Sequence, residues 1–337
     1  MKFTNNHPAS WLRLRRILSV SCVIFLIGLS VSGCGNSYSM PYQAQMDDST
    51  FGIAAVTPLT AGRSSAFASG LCVVEKDTDN IDLGFADSTA GILADLSRQK
   101  ILYAKNSFTK LYPASMTKVM TAIVALKHAS TDTILTAGED VNNMESGAQV
   151  AGISPGDTLT MDQALHLLLI YSANDAAVVI ADSVGGSMDS FTEMMNEEAA
   201  SLGATGTHFV NSNGLHDENH YTTPYDMYLI FQEALQYDLF KEIINIPTYD
   251  TIIHDASGAE KELHYNNTNL YLNGTKSAPT GITVVGGKTG TTTAAGHCLV
   301  LLARDSSGNP YIGLVMRAAD QDTMYTDMNA MLGLIQN

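Results

Sequence analysis

Residues 113–129 read PASMTKVMTAIVALKHA, and the spacing of their apolar residues predicts a buried helix from Ala114 to Ala129. The apolar positions are Val119, Met120, Ile123, Val124 and Leu126. Ser115 and Lys118 lie three positions apart at the start of this helix, so we expect both side chains on one face and within reach of each other.

Strands at both ends of the domain flank a helical middle. Before the helix, AGILADL at 90–96 and KILYAKN at 100–106 alternate around a short turn, which is typical of a strand pair. The later predicted helices are 161–186, 187–203, 224–237 and 321–335, and the later predicted strands are 281–291, 297–304 and 310–316. The sequence therefore predicts an α/β fold of the α+β type. It has one antiparallel sheet flanked by helices plus a helical lobe, with a ligand cleft between sheet and lobe.

The composition is that of a globular, acidic protein. Apolar residues make up 45% of the chain and charged residues 15%, and the formal net charge is −16. Because an acidic surface repels phosphate backbones, we expect no nucleic-acid partner. The acidity is interpreted as keeping an exported protein in solution.

The first 33 residues have the layout of an export signal. Basic residues precede the apolar run ILSVSCVIFLIGLSV at 17–31, and no acidic residue comes before Cys34. The ending Val31-Ser32-Gly33-Cys34 resembles a bacterial lipobox, in which Cys34 carries a lipid and becomes the new N-terminus. A conventional cleavage site and an uncleaved apolar anchor stay open as alternatives.

These signals divide the chain into a lipoprotein signal peptide at 1–33, a tether at 34–86 and a catalytic domain at 87–337. The tether is rich in Ser, Ala, Gly, Thr and Asp and shows no sustained period, as suits a segment that holds a domain away from a membrane. Cys72 and Cys298 remain in the mature chain. They either form a disulfide, which an exported protein permits, or stay as core thiols.

The segment Ser115-Met116-Thr117-Lys118 joins a nucleophile to a base. A serine hydroxyl is a poor nucleophile until a neighbouring group removes its proton. Lysine can do so only when burial or a nearby cation lowers its pKa. The N–H groups at a helix start would also stabilise an oxyanion. Alone, this motif is a weak signal, because a helix cap followed by a solvated lysine gives the same letters.

Two further motifs complete the pattern. Ser172-Ala173-Asn174 falls at a break between apolar helical runs, where a hydroxyl can relay a proton and an amide can position Lys118 and hold a substrate carbonyl. Lys288-Thr289-Gly290 ends the strand GITVVGG, whose glycines let a substrate backbone lie close, while the lysine and the threonines offer donors to a carboxylate. A nucleotide-binding loop is rejected, since its spacing requires a glycine at Ile282 and no helix follows.

In this order and at these spacings the three motifs resemble those of the penicillin-recognising serine hydrolases. Four longer segments resemble the low-molecular-weight D-alanyl-D-alanine carboxypeptidases within that group, and the resemblance covers residues 88 to 335. The segments are YPASMTKVMTAIVAL, LLIYSANDAAVVIADSVGGS, THFVNSNGLHDENHYTTPYDM and TGITVVGGKTGTTTAAGHCLVLLA. The resemblance implies a β-lactamase/transpeptidase-like fold and no cofactor or metal. It also implies a serine enzyme that removes the terminal D-alanine from peptidoglycan stem peptides and is inhibited by β-lactam antibiotics.

The resemblance implies a role for each catalytic motif residue. Ser115 is the nucleophile that forms the acyl-enzyme, and Lys118 accepts its proton. Ser172 relays a proton, with Asn174 beside it.

On the strand side, the resemblance implies that Lys288, Thr289 and Gly290 bind the substrate, with Lys288 on its terminal carboxylate. The Thr291 N–H forms an oxyanion hole with that of Ser115. Many relatives carry a larger or aromatic residue at position 291, which leaves the fine specificity open. Many also add a β-rich domain and an anchor helix, whereas this chain stops at Asn337, so we expect the lipid on Cys34 to replace that anchor at the outer face of the cytoplasmic membrane.

Other reactions stay open. A D,D-endopeptidase of the same family shares the motifs. A β-lactamase also shares them, but it requires a deacylating glutamate after the second motif, for which Glu218 lacks the expected spacing. A silent binder of wall peptides would carry a damaged motif, and none is damaged. His216 and His220 lie four apart but lack the H-E-x-x-H arrangement, so no metal site is predicted.

If Cys34 carries a lipid, the mature protein should partition into detergent and its N-terminal peptide should carry the acyl mass. Cys34→Ala should release or misprocess the protein, as measured by membrane fractionation and mass spectrometry. Full membrane retention of the variant would instead indicate an uncleaved apolar helix.

Overall fold

Strands and helices alternate along residues 70–336, which the computed structural model describes. The strands are β1 (Ala90–Asp95), β2 (Lys100–Lys105), β3 (Ile134–Thr136), β4 (Thr158–Thr160), β5 (Thr248–His254), β6 (Glu260–Asn266), β7 (Thr283–Thr292), β8 (Gly296–Arg304) and β9 (Pro310–Ala318). The α-helices are α1 (Thr117–His128), α2 (Met161–His166), α3 (Asn174–Gly185), α4 (Met188–Ser201), α5 (Pro224–Ala234), α6 (Asp238–Ile244) and α7 (Gln321–Leu332). The predicted signal peptide, Cys34 and most of the predicted tether lie outside the described residues.

A five-stranded antiparallel sheet in the order β2-β1-β9-β8-β7 forms the predicted sheet. Its three central strands, β1, β9 and β8, are largely buried on both faces because alternate side chains enter two different cores. On β8, Cys298 and Val300 point into the larger core, whereas Leu299 and Leu301 point into the smaller one. Helix α7 covers the smaller core with Met324, Tyr325 and Met328, and the other helices lie on the opposite face. The predicted α+β architecture is confirmed.

The edge strand β7 is the strand that meets the rest of the domain. It pairs with β8 along one side only, and its other side faces the start of the 113–129 segment and the loops that precede β7. A Cβ at Gly286 would come within 2.1 Å of the Ile244 carbonyl oxygen, which shows how closely the end of α6 approaches this strand. The free edge of β7 therefore borders the cleft between the sheet and the helical lobe.

A second sheet, in the order β3-β4-β5-β6, is a feature that the sequence patterns did not predict. Strands β3 and β4 are three residues long, too short to give a recognisable alternation. On β5 the inward residues are Tyr249, Thr251 and Ile253, which pair with Tyr265, Leu263 and Lys261 of β6, respectively. The outward face is polar except for the exposed Ile252. The predicted helical lobe therefore carries its own small antiparallel sheet.

The helical segments were predicted closely, with two differences. The predicted helix 161–186 is interrupted by a π-helical turn at Leu167–Tyr171, after which Ser172 adopts a left-handed conformation (φ 67°). The helix predicted at 224–237 ends at Ala234, and a separate short helix, α6, follows it. The π turn sets the position of the second motif, which begins directly after it.

Residues 70–86, the last part of the predicted tether, form neither helix nor strand, but Cys72, Val74 and Phe85 are buried. Cys72 and Cys298 are both free and buried, so the thiol alternative holds and the disulfide does not form. Burial raises the pKa of the Cys298 thiol to about 12, which makes it an inert core residue. Within residues 70–336, no helix is both long and apolar enough to cross a membrane.

Candidate active site

Ser115 lies on a turn of 3₁₀ helix, Ala114–Met116, that leads directly into α1. The backbone at two glycines lies very close to this turn, because glycine has no side chain. A Cβ at Gly290 would lie 2.9 Å from the Ser115 amide nitrogen, and a Cβ at Gly214 would lie 1.9 Å from the Ala114 carbonyl oxygen. Ala114 itself has φ 47°, an uncommon value for a residue with a side chain. The backbone around Ser115 is thus held by β7 on one side and by the loop at Gly214 on the other.

Lys118 is completely buried, and its amine lies at the centre of the site. The Nζ atom is 2.9 Å from Ser115 Oγ, 2.7 Å from Asn174 Oδ1 and 2.6 Å from the carbonyl oxygen of Asn213. These three contacts use the full hydrogen-bonding capacity of an ammonium group and fix the side chain in one position. The first and second motifs, as predicted from the sequence, therefore meet at one lysine.

The second motif reaches the site through a break in the helical run. The π turn before Ser172 and the left-handed conformation at Ser172 end one helix, and Asn174 begins α3 two residues later. Both side chains are buried. The Asn174 backbone N–H donates to the carbonyl of Gln149, which ties the start of α3 to the loop before β4. A continuous helix could not present both side chains to the same point.

Lys288 on β7 is the second completely buried lysine. Its Nζ donates to Ser172 Oγ at 2.8 Å and to the carbonyl oxygen of Thr289 at 2.9 Å. The hydroxyl of Thr289 is hydrogen-bonded to that of Thr268 at 2.6 Å. All three motifs therefore form one connected network, in which Ser172 joins the third motif and Asn174 joins the first.

The electrostatics of the site follow from the burial of two amines. Within residues 70–336 neither Lys118 nor Lys288 forms an ion pair with a carboxylate. Desolvation lowers the pKa of Lys118 well below its ordinary value, and the positive charge of Lys288 lowers it further, while Asp175 acts in the opposite direction. Burial lowers the pKa of Lys288 to about 7. A neutral Lys118 is therefore accessible at neutral pH, which a lysine base requires.

A cleft of about 450 Å³ opens above this network. Its walls come from the motif residues, from the 145–149 loop, from Thr268, and from the end of β7 with its neighbour His297. Thr291 and His297 are paired across the strands, with Thr291 Oγ1 3.3 Å from His297 Nδ1. The eight predicted site residues of the three motifs thus lie together in or directly beneath one cleft, whereas Cys34 lies outside the described residues.

Several residues of the site were not found from the sequence. Asn213 contributes a backbone carbonyl, which leaves no signal in its side chain beyond the N-S-N-G turn letters. Thr268, His297 and Gln149 come from loops and from a neighbouring strand. Their approach depends on strand register and on the second sheet, neither of which local patterns revealed.

The histidines and the glutamate of the 215–221 loop have other environments. His220 is buried, with Nε2 2.7 Å from Thr117 Oγ1, and its Nδ1 accepts a hydrogen bond from the Val210 N–H. Desolvation lowers the pKa of His220 to about 4, so it is neutral at physiological pH. Glu218 lines a different cleft from the one that contains Ser115.

Comparisons with known proteins agree with this geometry. The family described as Peptidase S11, D-alanyl-D-alanine carboxypeptidase, matches residues 79–320. The D-alanyl-D-alanine carboxypeptidase DacF of Bacillus subtilis is 32% identical over 222 residues, which cover 65% of this chain and 54% of that protein. The D-alanyl-D-alanine carboxypeptidase DacC of Escherichia coli is 34% identical over 226 residues, which cover 64% of this chain and 53% of DacC. The chain therefore spans about half the length of these relatives.

Solved structures show the same arrangement of elements. The crystal structure of the Streptomyces K15 DD-transpeptidase matches with a TM-score of 0.67 and 27% identity, covering 72% of this chain and 95% of that one. An evolved putative penicillin-binding protein homolog from Mycobacterium tuberculosis matches with a TM-score of 0.66 and 28% identity, over 78% and 97% of the two chains.

The close approach at Gly214 gives a stability prediction. Gly214→Ala should lower the free energy of unfolding by on the order of 3 kcal/mol or more, because the new Cβ combines a strained φ of 86° with a clash against the Ala114 carbonyl. Gly258→Ala is the matched control, since Gly258 has φ 83° but open space around its Cβ, and it should cost only about 1–2 kcal/mol. Urea unfolding of both variants measures the difference. Equal losses would show that the clash with Ala114 is relieved without cost.

Proposed function

Because the chain belongs to the Peptidase S11 family of D-alanyl-D-alanine carboxypeptidases, we propose that it removes the C-terminal D-alanine from peptidoglycan stem peptides through an acyl-enzyme on Ser115. The observation that carries the proposal is the buried, carboxylate-free amine of Lys118 at 2.9 Å from Ser115 Oγ. A lysine that is kept neutral by burial can accept the serine proton at the moment of attack.

Acylation begins when Ser115 Oγ attacks the carbonyl carbon of the scissile amide and Lys118 takes its proton. The carbonyl oxygen becomes an oxyanion, for which the backbone N–H groups of Ser115 and Thr291 are the proposed donors. Their proximity is supported by the 2.9 Å approach of the Gly290 Cβ position to the Ser115 nitrogen. Collapse of this intermediate breaks the amide bond and leaves the remaining peptide as an ester on Ser115.

The departing D-alanine nitrogen needs a proton. Ser172 is the proposed relay, because its hydroxyl accepts a hydrogen bond from Lys288 and can donate its own proton toward the leaving amine. The Lys118 ammonium then returns to Ser172 the proton that it took from Ser115, which leaves Lys118 neutral for the second half of the reaction. Water then hydrolyses the ester with Lys118 again as the base, which restores the free serine. The proton count balances, since each proton taken from Ser115 or from water is returned to a product or to the serine.

The C-terminal carboxylate of the substrate is assigned to Lys288 and the threonine hydroxyls of β7. Lys288 has a pKa of about 7 in the free site, and an adjacent carboxylate favours its charged form. Thr289 lies beside it with its hydroxyl on the cleft wall. This recognition requires a free carboxylate, which favours carboxypeptidase action over cleavage within a longer peptide.

The family alternatives differ in their substrate or in the fate of the acyl-enzyme. A D,D-endopeptidase would cleave a cross-link rather than a free terminus, and release of D-alanine from a pentapeptide separates the two activities. A β-lactamase needs a glutamate after the second motif that activates water at the ester. Glu218 is not among the residues that line the cleft of Ser115, and Glu145, which does line it, precedes the second motif. β-Lactams are therefore assigned as slowly released inhibitors.

The proposal extends to the location of the protein. The signal-like residues 1–33 and the lipobox-like Cys34 support an exported protein that a lipid holds at the outer face of the cytoplasmic membrane, in the compartment of the cell wall. A substrate attached to the wall suits an enzyme tethered in this way.

The direct test is release of D-alanine from a pentapeptide that ends in D-Ala-D-Ala, with Ser115→Ala as the variant. The variant should lose both D-alanine release and covalent labelling by a fluorescent penicillin, because no other group would form the ester. It should remain folded, since it loses one hydrogen bond, from Lys118 to this hydroxyl, which costs about 1 kcal/mol. A folded variant that still labels would contradict the assignment of Ser115.

The two buried lysines should give different kinetic results. Lys118→Ala should lower kcat by about 10² to 10⁴, the usual contribution of a general base, with little change in KM. Lys288→Ala should raise KM and also slow acylation, because it removes the cation that lowers the Lys118 pKa. The measurements are kcat and KM on a D-Ala-D-Ala peptide, with circular dichroism as the folding control.

Arginine variants and a pH profile sharpen the comparison. Lys288→Arg keeps a charge and should retain partial activity, whereas Lys118→Arg places a permanent cation at the base and should retain little. Below its pKa, Lys118 is protonated and cannot accept a proton, so kcat/KM falls on the acidic side. Removing the Lys288 cation should move this acidic limb to higher pH. A limb that stays in place, or a Lys118→Ala variant that changes only KM, would refute the division of roles.

A further inference from the structure

A second cleft, also of about 450 Å³, lies at the turn between β7 and β8. It is lined by Lys110, Tyr112, Glu218, Tyr221, Ala295 and Arg317, among others. It shares no lining residue with the cleft of Ser115, but the two are neighbours along the chain, since Thr293 lines the first and Ala294 lines the second. The proposed reaction has no use for these residues.

The second cleft has more cations than anions in its lining, whereas the molecule as a whole is acidic. The chain has a net charge of −16, whereas the cleft is lined by two cations, Lys110 and Arg317, and one anion, Glu218. All three side chains are exposed, and within residues 70–336 none of them forms an ion pair. The Lys110 amine lies 4.0 Å from the centre of the Tyr221 ring, a cation–π contact that holds the charge beside the cleft. Two cations without acidic partners are available to an anionic ligand.

The backbone at Arg317 is a second, independent observation. Arg317 is close to the end of β9 and has φ 61°, in the left-handed region that glycine adopts without cost and that other residues rarely occupy. A long cationic side chain is therefore present where the backbone favours glycine. The conformation belongs to a bulge in the pairing of β8 and β9, where the register shifts between His297 and Leu299. Bulges are frequent next to active sites, where they redirect a side chain.

The direction of a bound substrate, which rests on the proposed function, leads toward this cleft. With the terminal carboxylate at Lys288 and Thr289, and the scissile carbonyl between Ser115 and Thr291, the upstream residues follow the free edge of β7 toward Thr293. Extended chains advance about 3.3 Å per residue. Because β7 ends at Thr292 and the chain then turns, Ala294 lies at most about 10 Å from Thr291. This distance is within reach of side groups two or three residues upstream of the scissile bond.

We propose that the second cleft binds a carboxylate of the substrate peptide that lies one or two residues before its D-alanyl-D-alanine end, which is two or three residues upstream of the scissile bond. Lys110 and Arg317 bind the carboxylate, and the rings of Tyr112 and Tyr221 contact the apolar part of the same residue. Glu218 opposes this binding and limits its strength. The cleft thus selects acidic stem peptides over neutral ones in an enzyme whose net charge would otherwise repel them.

The test uses two peptides that end in D-Ala-D-Ala and differ only in a free carboxylate or a carboxamide at the upstream position. The measured quantity is the ratio of kcat/KM for the carboxylate peptide to that for the carboxamide peptide. The unaltered enzyme should favour the carboxylate, and Lys110→Gln or Arg317→Gly should each lower the ratio by roughly two- to five-fold, as is usual for exposed charge pairs. Arg317→Gly removes the cation and also relieves the backbone strain, so a folding defect does not explain its effect.

Two further variants make the result specific. Glu218→Gln should raise the ratio, opposite in sign to the lysine and arginine changes. Lys100→Gln, which removes an exposed lysine on the opposite edge strand β2, should leave the ratio unchanged. The preference should also weaken as salt is added.

The outcomes separate this inference from the proposed function. Release of D-alanine from both peptides with a ratio near one, or a ratio that the cleft variants leave unchanged, overturns the second cleft alone. Release from neither peptide overturns the proposed function, and the assignment of the cleft falls with it.

Discussion

A protonated amine in a protein interior costs several kilocalories per mole unless hydrogen bonds or an opposite charge compensate for its lost hydration. The structure buries two such amines, Lys118 and Lys288, without giving either a carboxylate partner. It supplies neutral oxygen acceptors instead, three to Lys118 and two to Lys288. These acceptors come from four places: the turn that leads into α1, the start of α3, the 211–215 loop and β7. The amines therefore stay in place only while the packing of the domain around the cleft is maintained.

Backbone near the cleft departs from ideal geometry, because side chains from separate elements must converge on the two buried amines. Ala114 and Ser172, neither of them glycine, have φ values of 47° and 67°. The first lies next to the serine that the proposed reaction uses, and the second orients the hydroxyl that Lys288 contacts. A π-helical turn at Leu167–Tyr171 precedes the second position, and such turns recur at functional sites. Strained backbone is thus concentrated where side chains from different elements must converge.

The sequence was sufficient for the elements that follow simple periodicity. The apolar spacing around Val119 and Ile123 predicted α1, and the short apolar run in HCLVLLAR predicted β8, because burial of these residues leaves a strong local pattern. The three motifs were recognisable because it is their side chains that form the hydrogen-bonded network of the site. The Asn213 carbonyl was not predictable, since any residue can supply a backbone oxygen. The second sheet was missed because β3 and β4 are very short and because the alternation in β5 and β6 is broken, with Thr251 and Lys261 on the inward face and Ile252 on the outward face.

The two lysines also explain how substrate binding and activation are coupled in the proposed reaction. With a pKa of about 7, Lys288 is only partly charged in the free site at neutral pH. A substrate carboxylate beside it favours the ammonium form. That ammonium is a cation near Lys118 and disfavours a second charge there. Binding therefore places a positive charge where the substrate terminus is recognised and, by the same step, favours the neutral form of the base. A ligand without a terminal carboxylate would not produce this coupling, so the arrangement links recognition of the chain end to the chemistry at Ser115.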